Sequence, residues 1–169
     1  RMQPVGKVFS RFPKLARDVA RSLNKQINLE LQGEDTDLDK NLVEALADPL
    51  VHLVRNAIDH GIESPEVRHK RGKPPQGQVL LSAQQEGDHI LITIQDDGAG
   101  IDPELLRQKA RDKGLITPEE SARLDEEQCF QLIFLPGFST KSEVSDISGR
   151  CVGMDVVKTK ITKLNGSIS

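Results

Sequence analysis

At 169 residues, 36% hydrophobic and 29% charged, the chain is long enough for one domain with a real core and too short for a second full one. Its formal charge of −3 supplies no general attraction to nucleic acid or to an anionic membrane surface. No apolar run approaches the ~20 residues of a membrane span, and Cys129 and Cys151 have neither metal-ligand spacing nor the density of a disulfide scaffold, which excludes direct membrane insertion and fits a reducing, cytoplasmic setting.

In chain order, Val8, Phe12, Leu15, Val19 and Leu23 recur at helical spacing, and Ile27 to Leu31 then alternates like a half-buried strand. Asp37 or Asp39 is placed to cap a helix running through Leu42, Leu46, Leu50 and Leu53 to Gly61, interrupted at Pro49. Ser64 to Gln76, rich in charge, Pro and Gly, reads as a loop with one short helix. Gln78 to Gln85 and His89 to Gln95 flank a Glu86-Gly87-Asp88 turn and predict an antiparallel hairpin. Pro103 starts a helix that ends near Gly114, and Pro118 and Glu126 open two more short ones. Leu135 to Gly149 lacks periodicity, and Met154 to Leu164 reads as a last helix before a strand that begins after Asn165-Gly166. The mixed order predicts an α+β fold, a two-layer α/β sandwich whose mixed, mostly antiparallel sheet carries helices on one face. Beginning at Arg1-Met2 and stopping at Ser169, the chain reads as a fragment of something longer.

Several segments carry chemistry. Helical spacing puts His52, Asn56 and Asp59 or His60 in one polar stripe, opposite Leu50, Leu53, Val54, Ala57 and Ile58. The side-chain carbonyl of Asn56 is a hard oxygen ligand suited to Mg²⁺ riding on phosphates. Asp96, at the end of the strand Ile90 to Ile94, is the candidate acceptor for an adenine amino group, and Gly98 and Gly100 let backbone approach a flat ligand. Within Gly137-Phe138-Ser139-Thr140-Lys141, Lys141 can sit over phosphates as a point charge. Gly149-Arg150-Cys151-Val152-Gly153-Met154-Asp155 leads into the last predicted helix, whose backbone N–H groups form an anion site. Neither a Rossmann fingerprint nor a Walker loop fits this pattern.

The ordered set His-x-x-x-Asn-x-x-Asp-His-Gly, Asp-Asp-Gly-x-Gly-Ile-Asp, Gly-Phe-Ser-Thr-Lys and Gly-Arg-x-Val-Gly-Met-Asp-Val-Val resembles the four nucleotide-binding boxes of the histidine kinase ATPase superfamily, which includes gyrase, Hsp90 and MutL. Its detailed wording is similar to that of CheA-type chemotaxis kinases over nearly the whole chain. The resemblance implies a Bergerat ATP-binding fold spanning residues 1–169, with 1–10 as the end of a linker from a dimerisation domain and the C-terminal strands of the sheet missing. It implies that Asn56 holds Mg²⁺ on ATP, that His52 lies beside the γ-phosphate, that Asp96 binds adenine helped by the backbone at Gly98 and Gly100, and that Ile101 is a further nucleotide-binding position. Arg55, Asp59, His60, Lys109 and Lys141 fall at phosphate or metal-shell positions, Ser139, Thr140, Gly149 and Gly153 fall in the lid, and Met154 is a further nucleotide-binding position.

The implied reaction is transfer of the γ-phosphoryl group to a histidine on a separate phosphotransfer domain. The full-length protein is then expected to be a receptor-associated homodimer working with a coupling protein, chemoreceptors and response regulators; the fragment is expected to be a monomer that binds no nucleic acid. The competing reading is a gyrase- or Hsp90-like ATPase module. Members of that class use a glutamate on the Asn56 helix to activate water, and here His52 stands four residues before Asn56, with Glu44 far upstream. The last box departs from the family pattern at Cys151, where a glycine is usual. A side chain there is expected to strain the lid by about 1 kcal/mol or more, which motivates a third reading as a binding domain with impaired catalysis.

Overall fold

Ile27, Leu29 and Leu31 alternate with polar residues along β2 (Gln26–Gln32), and the register of the sheet puts them beside Gly77, Val79 and Leu81 of β4 (Gln76–Glu86). The computed structural model describes residues 1–138 and the backbone of 157–163. Its main sheet has the order β2-β4-β5-β6, with β5 at His89–Asp96 and β6 at Val157–Lys163. β4 and β5 form the expected hairpin, with Glu86 opposite His89 and Val79 opposite Asp96. Val79, Leu81, Ala83, Ile90, Ile92 and Ile94 all fall on one buried face, which the helices cover. Period-two patterning thus fixes which side of the sheet meets the helical layer.

The sheet is mixed, as expected, with β4–β5 antiparallel and both β2–β4 and β5–β6 parallel. The β2–β4 pair is parallel because the chain between them crosses back over one face through helices. Val157 to Lys163 falls inside the predicted last helix and is instead a strand. Its sequence, Val-Lys-Thr-Lys-Ile-Thr-Lys, is rich in β-branched residues, which favour extended backbone over helix.

The helical layer is built on α1 (Gly6–Phe9), α2 (Phe12–Ser22) and α3 (Lys40–Asn56). The N-terminal helix expected from the apolar spacing is divided at Ser10-Arg11, with Phe12, Ala16 and Ala20 forming the buried stripe of α2. Asp39 caps α3 by accepting a 2.9 Å bond from the Asn41 amide. Pro49 does not interrupt α3, which continues through it with Pro49 itself buried. Leu42, Leu46, Leu50, Leu53 and Val54 are buried along the same helix, and that packing offsets the one lost backbone bond. The first residues pack into the body: β1 (Met2–Pro4) pairs with β3 (Asp37–Asp39), and Val5, Val8 and Phe9 lie in the core. No helix among the described residues is long and apolar enough to cross a membrane.

The remaining helices follow their sequence signals closely. α4 (Pro65–Lys70) starts after Ser64, and α5 (Pro103–Asp112) is capped by Asp102 accepting from the Glu104 amide at 3.0 Å. Capping boxes Thr117–Glu120 and Asp125–Gln128 open α6 (Pro118–Arg123) and α7 (Glu126–Gln131). A short 3₁₀ turn at Leu132–Phe134 follows, all three residues buried.

Candidate functional site

After Asn56 the α3 helix widens into a π turn, Ala57–Gly61, closed by a 2.8 Å bond from the Ile62 amide to the Ala57 carbonyl. Such wide turns insert an extra residue into a helix and recur at functional sites. The carbonyls at Ile58 and Asp59 accept from Lys25, whose Nζ donates to them at 2.8 and 2.6 Å. The turn ends on Gly61, and there it meets the end of β5. Gly61 O accepts from the Ala99 amide at 2.7 Å, and a Cβ on Gly98 would stand 2.0 Å from that same oxygen. A Cβ on Gly61 would stand 3.0 Å from Asp96 Oδ2. Only glycines allow the two backbones to meet this closely.

Asp96 is 1% exposed. Its Oδ1 accepts from the Gly98 and Gly100 amides at 2.9 and 3.1 Å, so one carboxylate oxygen is fixed by its own loop while Oδ2 faces Gly61. Burial pushes this carboxyl above the usual aspartate value, against the pull of the two amides. Asn56 is also buried, and its Nδ2 has no partner among the described residues. An orphaned amide nitrogen in a protein interior is uncommon and points to a group that completes it. Among the described residues no three His, Cys, Asp or Glu side chains gather into a metal cage. The unpaired Nδ2–H₂ is a donor and calls for an acceptor such as a phosphate oxygen, while the Asn56 side-chain carbonyl is the atom that would suit a Mg²⁺ ion brought by phosphates, which needs few protein ligands.

A second cluster is cationic. Lys109 of α5 places Nζ 3.3 Å from His52 Nε2, and the His52 ring stands edge-on to Phe138 with centroids 4.9 Å apart. Burial first, then the charges of Lys109, Lys113 and Arg55, hold the imidazole down at about 4. His52 is therefore neutral near pH 7 and accepts from the Lys109 ammonium. Burial and the neighbouring Lys113 lower Lys109 itself, while Asp59 opposes them. Lys113 donates to the carbonyls of Gly137 and Phe138 and lies 5.6 Å from the Phe138 ring centroid.

Of the residues singled out in the sequence, the fold therefore brings His52 to Lys109 and the turn after Asn56 to Asp96, Gly98 and Gly100. Arg55, Asp59 and His60 are exposed, with His60 Nε2 3.5 Å from Asp59 Oδ2. Ile101 is buried in the core. Ser139, Thr140, Lys141, Gly149, Cys151, Gly153 and Met154, and with them the expected lid and the strain at Cys151, lie outside the described residues.

Sequence reasoning missed the polar network behind Asp96. Arg68 is fully buried, and bonds Glu63 Oε1 at 2.9 Å, Asp97 Oδ2 at 3.0 Å and the Pro74 carbonyl at 2.7 Å. Nothing local distinguishes it from Arg71, three residues on, whose side chain is 59% exposed. Lys25 and Lys113 were also missed, being joined to the site only through tertiary contacts.

Residues 45–169 match the family described as Histidine kinase-, DNA gyrase B-, and HSP90-like ATPase. The chain is 55% identical over 168 residues to the sensor histidine kinase CheAY of Helicobacter pylori, covering 99% of this chain and 21% of that protein. It is 53% identical over 169 residues to the chemotaxis protein CheA of Treponema pallidum, covering 100% of this chain and 21% of that protein. It spans about a fifth of the length of these relatives. A remoter likeness is to the solved histidine kinase domain of a blue-light activated histidine kinase from Erythrobacter litoralis, with a TM-score of 0.43 and 19% identity over 66% of this chain and 55% of that one. With the family match running from within α3 to the last residue, and the likeness to CheA proteins extending over the helices before it, the chain belongs to the histidine kinase-, DNA gyrase B- and HSP90-like ATPase family.

Proposed function

We propose that this chain is the ATP-binding part of a chemotaxis histidine kinase, binding Mg-ATP and passing the γ-phosphoryl group to a histidine on a separate phosphotransfer domain. The observation that carries the reading is one junction. The helix bearing the orphaned Asn56 amide ends on the glycine that abuts the buried Asp96 carboxylate. A purine amine donating to Asp96 would then leave the nucleotide's phosphates for the Asn56 and Lys109 side. Mg²⁺, when bound through Asn56, would neutralise charge on the phosphoryl oxygens.

The chain's own residues supply positioning. Asp96 orients the base, Lys109 offers a proton-bearing ammonium to phosphate oxygens, and neutral His52 holds that ammonium in place through Nε2. Phosphoryl transfer asks mainly for such alignment and charge neutralisation, with little covalent work by the protein. Arg55, Asp59, His60, Lys141, Ser139, Thr140, Gly149, Gly153 and Met154 belong to the proposed phosphate and lid shell. In the full-length protein the partners would be the phosphotransfer domain, a coupling protein, chemoreceptors and response regulators, in a cytoplasmic, receptor-associated homodimer.

The gyrase-like reading needs a carboxylate base on α3 near the phosphates. His52 occupies that side, and Glu44 opens instead onto a groove shared with Lys7, Arg11 and Lys40. Mixing the chain with a chemotaxis phosphotransfer domain and γ-labelled ATP tests the proposal. Label should appear on the added domain, and should vanish with Asn56→Ala or Asp96→Ala. Steady release of inorganic phosphate with no label transferred would favour the ATPase reading and overturn this one.

A further inference from the structure

Arg68 sits at the centre of a buried charge network that touches no proposed ligand position yet ends one residue from Asp96. Its guanidinium donates to Glu63 Oε1, to Asp97 Oδ2 and to the carbonyls of Pro74 and Gln76, which draws the whole Ile62 to Gln76 segment around one side chain. Glu63 also takes Lys73 at 2.9 Å and Arg71 at 3.1 Å. Asp97 is held on every polar group: its Oδ1 accepts from the Gln78 amide at 2.9 Å, its own amide donates to the Gln78 carbonyl at 3.1 Å, and its carbonyl accepts from Lys73 at 2.8 Å. A strand end gripped this way cannot twist. Asp96, the residue before it, inherits that fixed direction, and its two loop amides then leave Oδ2 facing Gly61.

We propose that Arg68 is the positioning residue for purine recognition, locking Asp97 and Glu63 together so that the Asp96 carboxylate is held ready for an exocyclic amine. This rests on the reading of Asp96 as the adenine acceptor. The two neighbouring carboxylates differ in what binds them. Protein donors hold both oxygens of Asp97, whereas Asp96 keeps one oxygen without a donor among the described residues. Two acids beside a ligand-facing carboxylate would also repel the charge it must carry, and Arg68 with Lys73 compensates them. A site built to accept from an amine rejects a base that presents a carbonyl there, and that rejection depends on the carboxylate's placement.

The test compares ADP with IDP, whose base replaces the amine by a carbonyl, using calorimetric titration of the 169-residue chain alongside circular dichroism to confirm folding. The unsubstituted chain should prefer ADP. Arg68→Met should reduce that preference by about tenfold or more while moving IDP affinity little, and in an Asp96→Ala background it should change the ratio no further. Asp97→Asn, which turns an amide N–H₂ toward the guanidinium and leaves the Arg68–Glu63 pair intact, should give the same loss and decides the matter if Arg68→Met does not fold. An unchanged ADP:IDP ratio, or an equal loss for both nucleotides, overturns the role given to Arg68. Absence of any ADP preference in the unsubstituted chain overturns the adenine assignment of Asp96 itself, and the inference with it.

Discussion

His52 Nε2 faces the Lys109 ammonium across 3.3 Å, so the imidazole of the candidate site is an acceptor and not a second cation. An NMR titration should find this histidine titrating at about 4. Lys109→Met removes the largest of the three neighbouring charges and should move it upward, still below the ordinary 6.5 because burial and Lys113 and Arg55 remain. A His52 resonance titrating near 6.5 in the unsubstituted chain would contradict the burial described.

The same shift makes stability depend on pH. Unfolded, His52 takes up a proton at its ordinary 6.5; folded, it does so only at about 4. The folded state therefore binds fewer protons between those values, so its contribution to stability is full above pH 6.5 and declines as pH falls toward 4. Urea unfolding at about pH 7 and about pH 5 should show this decline, and His52→Gln should flatten it.

Gly98→Ala is expected to cost about 1–3 kcal/mol, because the new methyl would meet the Gly61 carbonyl at 2.0 Å and break its bond to the Ala99 amide. Nucleotide binding should be lost with it. Gly87→Ala in the β4–β5 turn is the control: its φ is +60° and no described atom lies within 4 Å, so only backbone strain of about 1 kcal/mol is expected and binding should survive.

Asn56→Ala should leave thermal stability within about 1 kcal/mol of the parent, since the amide nitrogen it removes has no partner to lose among the described residues. Mg²⁺-dependent ATP binding, followed by calorimetry with and without the metal, should disappear. A large drop in stability with binding retained would remove Asn56 from the site.

Lys25→Met should destabilise by about 1–3 kcal/mol, through loss of the bonds to the Ile58 and Asp59 carbonyls at the π turn. Hydrogen exchange should show faster opening at Ile62, whose amide closes that turn.

The elements with strong local signals were legible in the sequence. The β4–β5 hairpin, the helix starts at Pro103, Pro118 and Glu126 and the buried stripe of α3 all follow from spacing and helix-start chemistry. The family resemblance supplied the candidate site, and the fold joined its helix end to its strand end. What stayed hidden was set by contacts between distant segments. Arg68 looks like any charged loop residue until β5 brings Asp97 to it, and the parallel pairings of β2 and β6 depend on where the connecting segments lead. Pro49 misled because a proline's local cost is visible in sequence and the packing that offsets it is not.

The wide turn at Ala57–Gly61 carries one residue more than a regular helix would use over the same rise. Deleting a single residue there would give a smoother helix and a ruined junction, since Gly61 would rotate by roughly a quarter turn away from Ala99. Loop grafts and chimeras that exchange this helix between relatives must therefore preserve its residue count, even where their sequences differ freely elsewhere.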